Sequence, residues 1–398
     1  MTAGVALGDR RRAALARSDA MRRHPTRRSA SKPVGPPPAA YFVIRVIVLV
    51  FTLLGLVMVL SATSISEFHR GNSPWRIVGR QAMWAGIGVF ALVVVSRVPM
   101  HSWRRLVNLF LVVALAAMAL PFVPGIGREV NDARAWIQVG PVSIQPSEFL
   151  KLAVLLAAAA LLSARRDEMM VFRRTMWPVL VMTGIGAAMC LAQKDLGSAI
   201  VLAGVALAVL YIAGAPLTLM FAATLASAAV AGLFVITSDR RIARFTAFLD
   251  VATHKDRYSY QTYQAMIGMA QGGFTGSGIG RGDNKLGEFL PLAHSDFIFA
   301  VIAEELGLIG IVAVLGGFVM LAYAGVQVAL ATQDRFHSLV AGGIVGWLVV
   351  QTVINVGGVV GLMPVTGLTL PFFSAGGSSL FVTLVSAGLL LNVARNVR

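Results

Sequence analysis

The sequence predicts an all-α polytopic membrane protein of ten transmembrane helices, with both termini in the cytoplasm and a large extracytoplasmic loop between helices seven and eight. Three observations lead there. Of 398 residues, 57% are hydrophobic and 13% charged, and the mean hydropathy is +0.76, whereas a soluble domain has about a quarter of its residues charged. The apolar residues fall in runs near the 20 or so that a helix needs to cross a bilayer. The positive charges of the short connections suit a cytoplasmic N-terminus; the long loop over 238–296 is also basic, with Arg240, Arg241, Arg244, Lys255, Arg257, Arg281 and Lys285, but long loops translocate largely regardless of charge.

The first 39 residues lack apolar periodicity. From Asp9 to Lys32 there are nine Lys or Arg against two Asp, and KPVGPPP follows to Pro38. Such a segment cannot bury enough apolar surface to order itself, so a disordered basic cytoplasmic tail is expected over 1–39. Nucleic acid is one use for a tail of this kind, but ahead of a first span it more simply marks the cytoplasmic side and touches anionic lipid. No nucleic-acid partner is expected. The next apolar run is about 20 residues, longer than a signal-peptide core, so cleavage is not expected.

Over 40–398, a single transmembrane domain, the spans are expected at about 41–62, 78–96, 104–122, 147–164, 176–192, 197–214, 217–237, 297–325, 338–360 and 376–394. With the N-terminus inside, the cytoplasmic connections carry Arg97, Arg104 and Arg105, then Arg165, Arg166, Arg173 and Arg174, then Arg335, and last Arg395 and Arg398, in keeping with the positive-inside rule. The outer face then receives 123–146, 238–296 and 361–375. The one cysteine, Cys190, sits in an apolar run, which leaves no intramolecular disulfide and no cysteine metal site. No fixed repeat and no inverted pair of broken spans of the transporter kind stands out.

The chemistry concentrates from Gly272 to Gly307, GGFTGSGIGRGDNKLGEFLPLAHSDFIFAVIAEELG. Glycines at 272, 273, 276, 278 and 280 give a shaped loop rather than a span. Arg281 and Lys285 follow, and then His294, Ser295 and Asp296 stand on the threshold of an apolar helix. A carboxylate is thus held at a membrane interface beside an imidazole, although helix N-capping would also place an Asp there. Glu304 and Glu305 lie about 12 to 14 Å deeper. Acids at that depth face a protein interior or a wet cavity, or pair with a base on a neighbouring helix. In QPSEFLK, Pro146 and Ser147 open a span and put Glu148 and Lys151, three apart, on one face. In QKDLGSA, Lys194 and Asp195 occupy the short outer turn between spans five and six.

LPLAHSDFIFAVIAEELG, from Leu290 to Gly307, resembles the LPEAHTDFIFAVIGEELG signature of the SEDS family, the FtsW, RodA and SpoVE group of peptidoglycan glycosyltransferases. NVGGVVGLMPVTGLTLPFFSAGGSSL, from Asn355 to Leu380, resembles that family's second signature. The resemblance covers the chain from about Phe42 to Arg395. It implies a multi-pass enzyme of the bacterial cytoplasmic (inner) membrane that polymerises lipid II, a disaccharide-pentapeptide on undecaprenyl diphosphate, into glycan strands. It also implies that Arg134, Trp136, Glu148, Lys151 and Asp195 line or support the site, with Gln261, Lys285 and His294 joining them in substrate binding.

This sequence departs from the family pattern at Asp132 for a usual Gly, Lys194 for Pro, Leu292 for Glu, Ser295 for Thr, Ser259 for Gly and Ala375 for Tyr. Arg134 also stands two residues from Trp136, where many members have Arg beside Trp. TGLTLP with SAGGS is similar to the division-type, actinobacterial form. That implies work at the septum with a class B penicillin-binding protein, FtsI-like, and other divisome proteins.

In such a reaction a base must take a hydroxyl proton, which suits Asp296, with His294 to tune it. Positive charge must offset what develops on the diphosphate, for which Lys285, Arg281 and Lys151 are the candidates. An apolar groove must hold the polyprenyl chain. No nucleotide signature and no His or Cys cluster of metal-ligand spacing is present; a divalent cation, Mg or Mn, bridging diphosphate and carboxylate is compatible with the residues. Three other readings are an elongation-type polymerase, a lipid-linked precursor flippase and a non-enzymatic divisome scaffold. Flipping needs polar groups through the full membrane depth, whereas Glu148, Lys151, Asp195 and Asp296 gather near the outer face. Pro371, Gly376 and Gly377 allow the last outer loop to re-enter the membrane only where protein or water covers its backbone.

Overall fold

A bilayer offers the backbone no hydrogen bonds, so each apolar run closes its own as a helix. The computed structural model describes residues 38–397 except 131, 141, 252–258, 284–289 and 291–292. The basic tail and Lys285 therefore lie outside the described residues. The helices are α1 (Ala39–His69), α2 (Arg76–Val95), α3 (Met100–Ala117), α4 (Pro146–Ala164), α5 (Met176–Ala192), α6 (Leu196–Ala213), α7 (Leu217–Ile236), α8 (Asp239–Leu249), α9 (Tyr260–Gly272), α10 (Ile298–Ala331), α11 (Arg335–Val359) and α12 (Gly377–Arg395). Among the described residues nine helices are long and apolar enough to cross a membrane. The run expected as a further span, α5, has 17 residues.

Two helices outgrow their expected bounds. Nothing between Ala62 and His69 breaks α1, so its 31 residues reach about 46 Å, past the ~30 Å of hydrocarbon. The 34 residues of α10 are interrupted at Gly307, with φ 64 and ψ −160.

The expected outer loop at 123–146 carries a three-stranded antiparallel sheet, β1 (Gly127–Val130), β2 (Ala133–Val139) and β3 (Val142–Ile144). Alternation in ARAWIQV turns Ala135 and Ile137 inward, and Ile137 pairs with both Gly127 and Ile144. Asp132, where a glycine is usual, takes φ 68 in the β1–β2 turn, a conformation that Asp tolerates better than most residues. Lys194, at a position usual for proline, takes φ 62, which a proline ring forbids.

The bundle is most enclosed at α12, then at α4 and α11; α11 and α12 pack against α6, α10 and α2. By contrast α7 has no buried residue. The last outer loop enters this bundle: Leu370, Phe372, Phe373 and Ser374 are buried, and the Phe373 ring lies 4.9 Å from that of Phe51 on α1 and 6.1 Å from that of Phe318 on α10. Gly55 admits the Phe372 carbonyl, since a Cβ there would overlap it.

The glycine-rich segment after α9 clasps the break in α10. The amides of Ser277 and Gly278 donate to the carbonyls of Glu304 and Glu305 at 3.0 Å each, while the amides of Leu308 and Ile309 donate to Gly273 and Phe274 at 3.0 and 3.3 Å. Every peptide group bonded here replaces one that the helix loses at Gly307. Gly276 has φ 80, and a Cβ on it would collide with the Glu305 carbonyl. Gly276→Val is therefore expected to lower the thermal midpoint of the detergent-purified protein by the equivalent of about 2 kcal/mol or more, from strain plus lost bonds. Gly232→Ala on α7, with nothing within 4 Å, should leave the midpoint unchanged; equal midpoints for both variants would refute the clasp.

Candidate active site

The polar residues singled out by the sequence collect at one end of the bundle. At the start of α4, Gln145 donates through Nε2 to Asp195 Oδ2 at 2.9 Å, and Asp195 caps α6 by accepting from the Ser198 amide at 2.9 Å. Ser147 and Ser198 meet at 3.1 Å. One turn on, Lys151 Nζ lies 2.8 Å from Glu148 Oε2 with both side chains sealed, 1% and 4% exposed. Lys151 also donates to Gln351 Oε1 at 3.1 Å and stands 5.3 Å over the Trp347 ring. Gln351 in turn donates to the Thr369 carbonyl at 2.9 Å, and Thr369 meets Ser379 at 2.7 Å.

The last outer loop joins this network to Asp296. On one side Gly197, two residues past Asp195, packs on the Thr366 carbonyl; on the other, a Cβ on Gly367 would stand 3.6 Å from Asp296 Oδ2. Asn355 on α11 donates to the backbone carbonyls of Asp296 at 2.9 Å and Leu368 at 2.6 Å. Ser374 donates to the Ser295 carbonyl at 2.6 Å, and the Ala375 amide to the His294 carbonyl at 2.8 Å. Gln81 on α2 holds the Ser374 carbonyl at 2.9 Å. The 293–297 turn is thus fixed by Asn355 of α11 and by the entering loop, which Gln81 of α2 holds in turn.

Asp296 opens into a cleft that it lines with Ile354, Asn355, Gly358, Val359, Val365, Thr366, Gly367 and Leu368. Burial pushes its carboxyl up to about 6, with a hydrogen bond from Ser295 acting in the opposite sense. The N-capping alternative does not hold: Phe297 occupies that position and no side chain caps α10. His294 is held below its ordinary value by burial and by the charges of Arg70 and Arg80, against Glu67. Asn355 Oδ1 is buried without a hydrogen-bond partner among the described residues. Because Nδ2 satisfies two carbonyls, the amide cannot be turned round without facing oxygen to oxygen.

The other candidates are less central. Arg134 is exposed on β2, 4.0 Å from Glu129, while its amide donates to the Gln193 carbonyl at 3.0 Å. Trp136 is half-buried on the same strand, and Gln261 half-buried in the first turn of α9. Arg281 is exposed. Of the deep acids, Glu305 accepts from Ser61 at both oxygens, 2.6 and 2.7 Å, and Glu304 Oε1 from the Asp283 amide at 2.6 Å. Sequence reasoning missed Glu67, Gln81, Gln351 and Asn355. Only the polar character of 351 and 355 within an apolar run signals them. Among the described residues no group of three or more His, Cys, Asp or Glu could hold a metal ion.

The family comprising FtsW, RodA and SpoVE, described as cell cycle protein, matches residues 41–398. The chain belongs to this family. It is 36% identical over 363 residues to a probable peptidoglycan glycosyltransferase FtsW of Mycobacterium tuberculosis, covering 91% of this chain and 69% of that one. Stage V sporulation protein E of Bacillus subtilis is 36% identical over 354 residues, 89% of this chain and 96% of its own. Among solved structures, a chain of a peptidoglycan synthase complex that coordinates polymerization and crosslinking superposes with a TM-score of 0.73 at 30% identity, covering 89% of this chain and 97% of its own. Thermus thermophilus RodA, a rod shape determining protein, superposes at 0.64 with 30% identity over 88% and 95%.

The Glu148–Lys151 pair is buried, so removing one charge alone strands the other. Lys151→Met strands a buried carboxylate and should cost about 3–5 kcal/mol, while Glu148→Leu with Lys151→Met should recover most of it. Thermal unfolding of the two variants in detergent measures this; a double variant no more stable than the single one would contradict it.

Proposed function

We propose that this protein polymerises lipid II into glycan strands at the outer face of the cytoplasmic membrane during cell division, with Asp296 as general base. The single observation that carries this reading is a carboxylate of raised pKa at the mouth of an interfacial cleft, in a family whose relatives are named as peptidoglycan glycosyltransferases. In the reaction a hydroxyl oxygen of the acceptor sugar attacks the anomeric carbon of the donor. The bond from that carbon to the diphosphate oxygen breaks, the polyprenyl diphosphate leaves with the electron pair, and the hydroxyl proton passes to Asp296. Asn355 Oδ1 offers a second acceptor at the same cleft, so the two together favour a hydroxyl-bearing group. In this reading the Asp296 end of the bundle faces outward and both termini lie inside, as the Lys and Arg distribution favours.

A transpeptidase that crosslinks the new strands is the expected partner, by analogy with the solved synthase complex. The entering loop touches α2, α11 and the 293–297 turn, and so offers a route by which a partner's binding could bias the cleft. The division role at the septum rests on the TGLTLP and SAGGS elements, Thr366–Pro371 and Ser374–Ser378. A flippase is disfavoured, because the polar network lies at one end of the bundle.

Asp296→Asn keeps size and loses the base. It should retain the wild-type thermal midpoint yet form no glycan ladder from labelled lipid II with the transpeptidase partner present; near-normal polymerisation would sink the assignment. A base must be ionised to act, so wild-type turnover should fall as pH drops through about 6 and level off above it. Stability should move the other way: the folded carboxyl binds its proton more tightly than the unfolded one, so that contribution is present near pH 4 and lost as pH rises through about 6. Depleting the protein in its host should give elongated or branched cells without septa. Rounded cells that still divide would instead indicate the elongation role.

A further inference from the structure

The proposed reaction needs cations for a diphosphate, and the residues that line the Asp296 cleft include none. Lys151 is sealed and neutralised by Glu148. The cleft itself presents the Asp296 carboxylate and Asn355, whose Oδ1 is an acceptor; both repel an anion. Arg241 is stacked 3.7 Å over Phe234 at the α7–α8 corner, and Arg134 points its charge toward Glu129 on the sheet.

The α1–α2 hairpin supplies what is missing. It brings two guanidinium groups, Arg70 and Arg76, against one carboxylate, Glu67, with Arg80 one turn further along α2. Glu67 is 3% exposed, and it lies 3.5 Å from Arg70 and 3.6 Å from Arg76. Arg76 and Arg80 are four apart in the first turns of α2 and share a face. Both are exposed, and that first turn contains no acidic residue. The next residue, Gln81, is tied to the catalytic turn through Ser374, whose carbonyl it holds and whose hydroxyl binds the Ser295 carbonyl. The hairpin is therefore anchored within one side chain of the His294–Asp296 segment. The field of Arg70 and Arg80 reaches the His294 ring.

We propose that Arg76 and Arg80, supported by Arg70 and oriented by the buried Glu67, bind the diphosphate of the polyprenyl-linked donor. The acceptor hydroxyl then occupies the Asp296–Asn355 cleft on the other side of the turn. This inference rests on the glycosyl-transfer reading for the identity of the ligand. Planar guanidinium groups suit a diphosphate because each offers paired N–H donors to two oxygens.

The test is binding, which needs no turnover and so can fail or succeed independently of that reading. Full-length protein in neutral detergent is titrated with undecaprenyl diphosphate, with undecaprenol, and with phosphatidylglycerol. Wild type should bind the diphosphate in preference to the alcohol. Arg76→Gln with Arg80→Gln should weaken diphosphate binding at least roughly tenfold, the loss of one or more charged hydrogen bonds, and leave undecaprenol binding unchanged. Arg76→Lys with Arg80→Lys should restore part of the affinity. Arg105→Gln, an exposed arginine of α3, should change nothing. Unchanged diphosphate affinity in the glutamine variant would overturn the inference, as would a loss seen with Arg281→Gln in its place. Equal arginine-dependent binding of phosphatidylglycerol would overturn it too, by making the patch a general phospholipid site. If the arginines matter for binding while wild-type protein forms no glycan with its partner, the reaction assigned above fails and the diphosphate site stands.

Discussion

A backbone that leaves the helical path inside a bilayer must find its hydrogen bonds in protein, and the working parts of this molecule are where that requirement is met. Gly307 breaks α10, and the amides and carbonyls released by the break are taken up by the glycine-rich segment after α9. The last outer loop leaves the helical path a second time. Its Leu370 amide bonds the Ser374 hydroxyl at 2.8 Å, and its carbonyls at 368, 369 and 374 are held by Asn355, Gln351 and Gln81. Phe372 takes φ 69 there, a conformation costing about 1–3 kcal/mol for a non-glycine residue. Ring packing of Phe373 against Phe51 and Phe318 helps keep the loop seated.

Those same bonds position the chemistry. Asp296 follows no regular element; its turn is fastened by Asn355 from α11, by Ser374 and Ala375 of the entering loop, and through them by Gln81 of α2. Among the described residues this carboxylate lines the cleft without capping α10 or joining an ion pair. Burial can then raise its pKa to about 6, within range of a base that works near neutral pH. The Glu148–Lys151 pair has the opposite character. Two charges closed in at 2.8 Å with Gln351 as third partner offset each other and tie α4 to α11.

The candidate site was legible in unequal measure. Asp296, His294, Glu148, Lys151 and Asp195 could be read because charged residues in or beside apolar runs are costly and so stand out. Arg134 and Trp136 came only through resemblance, and the structure puts them on a sheet that touches the bundle through the Gln193 carbonyl. Gln351 and Asn355 gave only a weak signal, and Gln81 gave none. A neutral amide in an apolar run carries little signal, and its partner is fixed by folding: Lys151 meets Gln351 200 residues away, and Gln81 meets Ser374 across 293.

By itself the sequence determined the class of protein, the rough bounds of its apolar runs, where its charges fall along the chain, and the stretch where its polar residues cluster, because hydropathy, charge and glycine spacing are local properties. Tertiary structure alone decided that α1 runs on past the membrane, that residues 127–144 form a sheet, and that the last outer loop enters the bundle. It alone set Asp296 between Asn355 and Gly367 with the arginines of the α1–α2 hairpin nearby. Each of these depends on which distant backbone groups find one another, and in a bilayer that choice is governed by the need to leave no peptide group unbonded.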